Sequence, residues 1–549
     1  MWRGIKWLVV VLLLAVIGFA FRKPAEKYFD IAKSLDIYAT LFKEVNAYYV
    51  DEIDPEKIVR HSIEGMLGSL DPYTDYIPEE ELESFEITTT GQYGGIGALI
   101  GVVNKKVVVT HPYLNFPAYK SGIRVGDEIL AVDGKNIQKK SPLEISGLLK
   151  GPPNTTLELK IRRAGKSETS VHKVTREKIR LTNLSFFDII EPGIGYFKLD
   201  DFTPGAAQEL SEAVRDLKRK GAKKLILDLR NNPGGLLHEA VNAVSLFVDK
   251  GLEVVSTKGK IEEWNKSYKT LSQPIDREIE MVVLVGEGSA SASEIVAGAL
   301  QDYDRAILIG QRTFGKGLVQ TTRPLAYNSQ LKITTAKYYI PSGRCIQAMD
   351  YAHRKEDGTV DRYADSLKME YKTKGGRKVF DGGGLDPDVK VEDEYVGAIT
   401  SALINAGLVF EFASKYCAEH PVKPDLKSFH VTEKDFQDFL SFVKSQKFSY
   451  TAPLEDDVKK LMEAAKKERY FEQLDDELEV LMKKISAGES NDIKNYKTEI
   501  MEVLSEQIGF HYDLYKGQAQ IFLKHDKAIT EARKILNDST TYRKLLSNN

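Results

Sequence analysis

The chain contains little cysteine and no excess of either charge. Its 2 cysteines, Cys345 and Cys417, allow at most one disulfide bond and exclude a cysteine-rich zinc site. Lys and Arg total 77 against 80 Asp and Glu, and a net charge of −3 provides no global positive field for nucleic acid. A hydrophobic share of 42% and a charged share of 29% exclude a disordered chain and a polytopic membrane protein. The 549 residues predict three or four domains.

One apolar run stands at the N-terminus, over residues 7–21, with Arg3 and Lys6 before it and two further basic residues after it. Its 15 residues match the core of a signal peptide and are short for a membrane-spanning helix. Large aromatic side chains occupy the positions where cleavage requires small ones. We therefore expect a signal anchor over residues 1–23, with a cleaved signal peptide as the alternative. Both place the remainder of the chain outside the cytoplasm.

Patterning divides the rest of the chain into four segments. Residues 24–86 carry apolar side chains at helical spacing and predict helices. Residues 87–175 are rich in glycine, with short β-like runs between turn signals, and predict a small β-rich domain. Residues 176–395 alternate strand and helix patterns, which is typical of an α/β layer. Residues 396–549 are highly charged with an amphipathic helical period, and they predict a helical extension that carries no motif.

A glycine turn precedes the first apolar strand of the β-rich segment, at Gly95, Ile96, Gly97 and Ala98. Successive backbone N–H groups in such a turn can bind an anion, and a peptide added to the edge of the next strand would bring its terminal carboxylate there. Residues 117–134 contain Ser-Gly-x-x-x-Gly-Asp-x-Ile-Leu-x-Val-Asp-Gly and resemble the PDZ family. The resemblance implies that the glycine turn is a carboxylate-binding loop and that the domain captures C-terminal tails of proteins.

Three serines crowd the start of a predicted helix that follows an apolar strand: Ser289, Ser291 and Ser293. Helix capping requires only one of them. A hydroxyl at this place lies beside free backbone N–H groups, which can stabilise the oxyanion of acyl transfer. The pattern therefore predicts a serine nucleophile.

A serine nucleophile requires a base. None of the 9 histidines lies in a recognisable triad motif, and His238, which follows a glycine turn, is the one candidate among them. Lys316 is the other candidate, because burial between its flanking glycines would lower its pKa and leave a neutral amine. The residues alone leave both bases open.

Two segments together resemble the carboxy-terminal processing proteases, the tail-specific serine peptidases of family S41. They are residues 289–305, which contain the serine cluster, and residues 310–320, which read Gly-x-x-Thr-Phe-Gly-Lys-Gly-x-Val-Gln. The resemblance implies Ser291 as the nucleophile, Lys316 as the general base 25 residues later, and Gln320 as the residue that supports the lysine.

Two further motifs match the family, at residues 71–76 and 227–236. The second implies an oxyanion hole built from the backbone N–H of Gly234 or Gly235 and that of Ala292. The implied fold is multidomain α/β, with a PDZ β-rich module inserted beside a ClpP/crotonase-like S41 α/β peptidase core and with helical N-terminal and C-terminal segments. No metal or organic cofactor is implied.

These features predict a Ser/Lys endopeptidase of the bacterial cell envelope, anchored in the inner membrane, facing the periplasm, and binding protein substrates by their C-terminal tails. The resemblance implies that the PDZ module can gate the site, with Arg124 as the candidate sensor of the bound tail. A catalytically silent tail-binding scaffold is the alternative. No nucleic-acid partner is expected. An adaptor protein, a homo-oligomer and the role of residues 396–549 are left open.

Overall fold

The computed structural model describes residues 28–392, 396–450, 452–485 and 489–547. The predicted anchor over residues 1–23 lies outside these ranges. No helix within them is long and apolar enough to cross a membrane.

The N-terminal segment is helical, with one strand. It consists of helix α1 over 28–48, α2 over Pro55–Gly68, strand β1 over Asp75–Ile77 and α3 over Leu82–Thr90. The side chain of Asp54 caps α2 by accepting the backbone N–H groups of Glu56 and Lys57. The β1 strand was not predicted, because three residues carry too little periodicity to be read as a strand.

The β-rich domain contains a six-stranded sheet in the order β3-β4-β5-β7-β8, in which β6 also pairs with β5. A separate two-stranded sheet pairs β2 with β9. The strands are β2 Gln92–Gly95, β3 Ala98–Val103, β4 Lys106–Pro112, β5 Glu128–Val132, β6 Lys135–Asn136, β7 Thr156–Arg162, β8 Thr169–Thr175 and β9 Glu177–Arg180, and the helices are α4 Pro117–Lys120 and α5 Pro142–Leu149. Strand β3 is the outer strand of its sheet, and α5 packs beside it. This arrangement leaves one strand edge open along a groove.

The peptidase core is built on a six-stranded sheet in the order β10-β11-β12-β15-β16-β21, parallel from β11 onward. Its strands are β10 Leu184–Glu191, β11 Ile194–Leu199, β12 Lys224–Asp228, β15 Glu280–Val285, β16 Ile307–Gly310 and β21 Val389–Lys390. Helices α6 Ala206–Arg219, α7 Leu237–Val244 and α8 Ala292–Asp302 bury their apolar faces in a cluster on one side of this sheet. Parallel strands are normally covered on both faces, so a second layer is required.

A second sheet, antiparallel, has the order β1-β18-β13-β14, with β17 paired to β18. Its remaining strands are β13 Glu253–Gly259, β14 Lys266–Lys269, β17 Leu318–Pro324 and β18 Gln330–Tyr339. A hairpin of β19 Glu370–Lys372 and β20 Lys378–Phe380 lies apart from it. Strand β1 therefore joins the N-terminal segment to the core, since Asp75 is paired with Lys332 of β18.

The C-terminal segment is entirely helical in the part that the structure describes. Its helices are α9 Ala398–Asn405, α10 Leu408–Glu419, α11 Glu433–Ser445, α12 Pro453–Lys467, α13 Phe471–Ile485, α14 Glu489–Asn495, α15 Lys497–Phe522, α16 Lys527–Asn537 and α17 Ser539–Leu546. Residues from α9, α10, α11 and α15 share one apolar cluster. We call residues 396–547 the helical domain.

The last two helices supply the second layer of the core sheet. Ile529 and Leu536 of α16 are fully buried against sheet residues that include Ile226 and Leu284. The hydroxyl of Tyr542 accepts the backbone N–H of Met281 at 2.8 Å. The predicted fold class is confirmed, but the C-terminal segment is more than an extension of the core, because its end completes the core itself.

Candidate active site

The three serines after strand β15 have different environments. Ser289 is buried and donates to the carbonyl of Leu229 at 2.8 Å, and Ser293 is buried and donates to the carbonyl of Asn232 at 2.9 Å. These two hydroxyls tie the start of α8 to the loop after β12. The hydroxyl of Ser291 donates a hydrogen bond to no group within the described part of the chain. Ser291 is therefore the one of the three that is free to react.

Ser291 occupies a strained turn between β15 and α8. Its φ is 55° and its ψ is −113°, and the next residue, Ala292, begins the helix. Backbone strain of this kind costs about 1–3 kcal/mol and recurs at functional sites. The turn leaves the side chain half-buried at the N-terminus of α8, where the helix leaves its own N–H groups unpaired. This is the environment that a serine nucleophile requires.

Glu294 joins the serine turn to the lysine loop. Its carboxylate accepts the backbone N–H groups of Ser291 at 2.9 Å, Gly315 at 2.8 Å and Lys316 at 2.9 Å, and the hydroxyl of Thr313. The side chain is fully buried, and burial raises its pKa to about 7, against the hydrogen bonds that lower it. Sequence reasoning missed this residue, because Ser-x-x-Glu is also the signature of an ordinary capping box.

Tyr338 holds the same two backbone segments from the other side. Its side chain is fully buried on β18, and its hydroxyl lies 3.2 Å from the carbonyl oxygen of Ser291 and within hydrogen-bond distance of that of Lys316. The serine and the lysine are thus fixed through their N–H groups and through their carbonyl groups. No sequence pattern marks this residue, which lies 22 positions beyond the lysine in an ordinary strand pattern.

Lys316 is partly buried, with its ammonium 4.5 Å from the centre of the Tyr73 ring. Within the described ranges its Nζ makes no ion pair and no hydrogen bond. Burial lowers the pKa of Lys316, and the positive charge of Lys332 lowers it further, whereas Glu294 and Asp71 oppose the shift. The lowered pKa favours a neutral amine, which is the form that can accept a proton.

The turn after α2 reaches into the site. Asp71 accepts the backbone N–H groups of Tyr73 and Thr74 at 2.8 Å each, and the hydroxyl of Thr74 at 3.1 Å. Thr74 Oγ1 in turn accepts the backbone N–H of Thr334 at 3.2 Å. The side-chain nitrogen of Gln320 lies 3.1 Å from Thr334 Oγ1. A hydrogen-bonded path therefore links the N-terminal segment to the strand that follows the lysine.

Gln320 lies on β17, four residues after Lys316. Its side chain contacts Thr334, and no hydrogen bond joins it to Lys316 among the described residues. The support of Lys316 by Gln320 stays a prediction.

The glycine turn after β12 contacts the serine turn. A Cβ on Gly234 would lie 2.8 Å from Ser291 Cβ and 2.8 Å from the backbone nitrogen of Ala292. The N–H of Gly234 is already donated to Asn232 Oδ1 at 2.9 Å. The N–H groups of Gly235 and Ala292 donate to no group in the described ranges. Of the two predicted glycines, Gly235 is therefore the one with a free donor for an oxyanion.

The predicted carboxylate-binding loop, Gly95, Ile96, Gly97 and Ala98, joins β2 to the edge strand β3. Gly97 has a φ of 70°, and a Cβ there would lie 2.4 Å from Phe116 Cβ, so only glycine fits this position. The N–H groups of Ile96 and Gly97 have no acceptor among the described residues. The loop thus offers free donors at one end of the open strand edge.

Arg124 stays within its own domain. Its guanidinium donates to the carbonyls of Tyr119 and Ile123 at 2.9 Å and stacks 4.3 Å from the Tyr119 ring centre. It forms no ion pair with the peptidase core within the described residues, although it borders a cavity between the domains.

His238 does not complete a triad. Its side chain is 65% exposed, and the carboxylate beside it is Glu239, at 3.7 Å. No hydrogen bond connects it to Ser291 in the ranges that the structure covers. The geometry therefore favours the lysine over the histidine as the base.

Comparisons with known proteins assign the class. Three family models match the chain: peptidase family S41 over residues 193–352, a PDZ domain over residues 108–163, and the C-terminal helical domain of a probable PDZ-protease over residues 399–536. The fold and site thus define a peptide hydrolase with a PDZ domain. The third match shows that the helical segment, for which the sequence predicted no motif, is similar to the C-terminal helical domain of probable PDZ-proteases.

Individual relatives agree with these matches. The chain is 38% identical over 321 residues to the carboxy-terminal-processing protease of Bartonella bacilliformis, across 58% of this chain and 73% of that protein. It is 39% identical over 385 residues to a probable CtpA-like serine protease of Staphylococcus aureus, across 69% of this chain and 75% of that protein. A solved structure, the photosystem II D1 C-terminal processing protease, is 28% identical, with coverage of 65% of this chain and 92% of that chain and a TM-score of 0.35. The chain belongs to peptidase family S41 and is a C-terminal processing serine protease.

Proposed function

We propose that the protein is an endopeptidase in which Lys316 activates Ser291. The observation that carries this proposal is the shared buried carboxylate of Glu294, which accepts the backbone N–H of both residues at 2.9 Å. A nucleophile and a base held by one group keep a fixed relation to each other, which catalysis by proximity requires. The lowered pKa of Lys316 supplies the neutral amine.

The reaction begins when Ser291 Oγ attacks the scissile carbonyl carbon and gives its proton to the amine of Lys316. The carbonyl oxygen becomes an oxyanion, for which the free N–H groups of Gly235 and Ala292 are the donors. The C–N bond then breaks as Lys316, now an ammonium, protonates the leaving amine. This leaves an acyl-enzyme and a neutral lysine.

Deacylation repeats these steps with water. Lys316 takes a proton from the water molecule as its oxygen attacks the ester carbon of the acyl-enzyme, and it returns the proton to Ser291 Oγ when the ester bond breaks. The second product leaves with a free carboxylate. Gln320, bonded to Thr334 here, is proposed to orient the amine of Lys316 during the cycle.

Substrates are proposed to bind by their C-terminal tails. The free N–H groups of Ile96 and Gly97 beside the open edge of β3 support capture of a terminal carboxylate and strand addition. Tethering by the tail raises the local concentration of the rest of the substrate at the active site. The apolar N-terminal run with basic flanks supports a location in the cell envelope, held at the inner membrane and facing the periplasm.

Arg124 is proposed to report tail binding to the peptidase core. Its position at the rim of the interdomain cavity supports this role, whereas its hydrogen bonds to Tyr119 and Ile123 keep it in the PDZ domain in this structure. An Arg124→Ala enzyme with an unchanged rate on tailed substrates would remove the role.

The serine register is tested by three single variants and a casein digestion. Ser291→Ala should abolish cleavage and leave tail binding intact, whereas Ser289→Ala and Ser293→Ala should keep the chemistry and lose stability, since each removes a buried hydrogen bond of about 1 kcal/mol. If Ser291→Ala still cleaves casein, the assigned nucleophile is wrong. If wild type and Ser291→Ala are equally silent while both bind tails, the protein is a scaffold.

A further inference from the structure

The PDZ domain is held against the helical domain by polar contacts from the hairpin of β3 and β4. Asn104 Nδ2 donates to Glu411 Oε2 at 2.5 Å, and Lys106 Nζ lies 3.4 Å from Glu411 Oε1. A Cβ on Gly407 would lie 3.6 Å from Val103 Cβ, so the two backbones approach closely beside these contacts. One end of the PDZ sheet is therefore fixed to α10.

An aromatic cluster makes a second attachment at the other end of β4. The ring of His111 packs against Tyr113 at 4.6 Å, against Phe510 at 5.3 Å and against Tyr515 at 4.6 Å, measured between ring centres. Burial lowers the pKa of His111 to about 4, so its ring is neutral in this apolar setting. His111 and Tyr113 belong to the PDZ domain, whereas Phe510 and Tyr515 belong to α15.

A break in α15 makes this cluster possible. Residues five apart on a straight helix point about 140° away from each other, so Phe510 and Tyr515 could not both reach one ring. The helix is interrupted at Asp513, with φ −146° and ψ 28°, and at Leu514, with φ 51° and ψ −144°. The conformation of Leu514 costs about 1–3 kcal/mol, which surrounding contacts must offset. The strained turn is what directs both aromatic side chains toward His111.

The cluster lies directly behind the predicted carboxylate-binding loop. The backbone N–H of Tyr113 donates to the carbonyl of Gly97 at 2.9 Å, and Gly97 packs against Phe116. The Tyr113 and Phe116 rings are in edge contact, with centres 6.4 Å apart. Tyr113 therefore contacts both the loop, through its hydrogen bond to Gly97, and the ring of His111.

A cavity of about 540 Å³ lies beside Tyr113 and Phe116. Its walls come from all three parts of the chain, and include Tyr113, Phe116 and Arg124 of the PDZ domain, Asp200 of the core, and Leu514 and Tyr515 of the helical domain. Ile96 anchors the loop in the PDZ core, whereas Tyr113 and Phe116, which contact Gly97, border this cavity and depend on the aromatic contacts described above.

We propose that the helical domain is a dock that sets the affinity of the PDZ domain for protein tails, through Glu411, Phe510 and Tyr515. We call these three residues the PDZ dock. They are positioning residues, because they brace Tyr113 and the hairpin and do not touch the tail. The proposal rests on the proposed tail binding and assigns a role to residues 396–547. Loss of the brace loosens the loop that Gly97 and its neighbours form.

The test measures tail affinity in the full chain by fluorescence anisotropy. The probe is the tightest binder to wild type among labelled decapeptides with an apolar last residue and a free carboxylate, and its amidated form is the negative control. Tyr515→Ala and Phe510→Ala should weaken binding about five- to tenfold, as loss of one aromatic contact implies. Glu411→Gln, which preserves the helix, should act in the same direction. Tyr470→Ala, an exposed aromatic of the same domain, is the matched control and should bind as wild type.

Kinetics with a tailed substrate give a second readout. The dock variants should raise KM with kcat unchanged, which a general loss of folded protein would not do. Wild-type affinity and wild-type KM in both Tyr515→Ala and Glu411→Gln would overturn the proposal.

Docking itself is measured without any tail, by hydrogen exchange of the β4 amides. Exchange should be faster in Phe510→Ala and Tyr515→Ala than in wild type and Tyr470→Ala. If wild type binds no free-carboxylate peptide better than its amide, the proposed tail binding is wrong. The PDZ dock then cannot set tail affinity, whatever the hydrogen-exchange result. If wild type binds tails and exchange is unchanged in the dock variants, the dock alone is wrong.

Discussion

The backbone N–H groups of Ser291 and Lys316 meet on one oxygen, Oε2 of Glu294, at 2.9 Å each. The two residues lie 25 positions apart, on a turn before α8 and on a loop before β17. Because a carboxylate can accept several hydrogen bonds and an amide oxygen fewer, the charge and the geometry of Glu294 both matter to this junction.

Glu294→Gln should therefore lower kcat by at least about tenfold, because an NH2 group would face backbone N–H donors and separate the two loops. Steady-state kinetics on casein measure the loss. Glu287→Gln, an exposed acid in the same loop, is the matched control and should retain full activity. Full activity in Glu294→Gln would show that the junction is dispensable.

The pKa of Glu294, about 7, also has a consequence for stability. Its folded pKa lies above the value of 4.5 for the free side chain, so the folded state binds more protons between these limits. Stability from this group is present below pH 4.5 and decreases as the pH rises toward 7. In Glu294→Gln this decrease should disappear, as urea unfolding at pH 5 and pH 8 would show. The same decrease in both proteins would contradict the assignment.

Lys316→Arg should be as inactive as Lys316→Ala, because a guanidinium cannot be deprotonated at working pH. A loss of more than about a thousandfold in kcat/KM is expected, since both acylation and deacylation require the base. Tail binding should remain at the wild-type level in both variants. Substantial cleavage by the arginine enzyme would eliminate Lys316 as the base.

The pH dependence of kcat/KM should show a rise governed by Lys316, centred below the ordinary lysine value of 10.5. The neutral amine is the active form, so activity increases as the pH rises through this pKa. Lys332→Gln removes a positive charge that lowers the pKa of Lys316, and should move the rise to higher pH. Lys337→Gln, exposed on the same strand, is the control. An unshifted profile in Lys332→Gln would contradict this electrostatic coupling.

Gly97→Ala should raise KM for tailed substrates about tenfold or more, because the new Cβ would lie 2.4 Å from Phe116 Cβ. Gly134→Ala is the matched control: its φ of 74° carries a similar conformational penalty, but no atom lies within 4 Å of the added Cβ. The comparison separates the clash from the backbone effect. Equal KM values in the two variants would argue against this loop as the tail site.

Ile529→Ala should lower the free energy of unfolding by about 2–5 kcal/mol, because the side chain is fully buried on the core sheet. Lys534→Ala on the exposed face of the same helix should be neutral. Urea unfolding followed by intrinsic fluorescence measures both. A neutral Ile529→Ala would show that α16 is not part of the core.

What could be predicted from the sequence was local. The serine cluster, the lysine between glycines and the PDZ run are short motifs whose chemistry follows from neighbouring residues. The choice between Gly234 and Gly235 was not accessible, because it depends on Asn232 capturing one of the two N–H groups.

The contacts that could not be predicted from the sequence join segments that are distant along the chain. Thr74 is hydrogen-bonded to Thr334 across 260 positions, and Tyr542 to Met281 across 261. Periodicity identifies an apolar face on α16 but does not show which surface that face covers. The sequence therefore did not predict which element forms the second layer of the core sheet. The same holds for Phe510, whose partner His111 lies in another domain.

The placement of α16 and α17 implies an order of assembly. The chain is made from its N-terminus, so the sheet that carries the serine turn has one uncovered apolar face until the final helices emerge. Arg230, two residues beyond β12, pairs with Asp228 of that strand and gains its second partner, Asp526 at 2.7 Å, only when the C-terminal helices have been made. A nascent or truncated chain would thus hold every proposed catalytic side chain and still lack a complete peptidase.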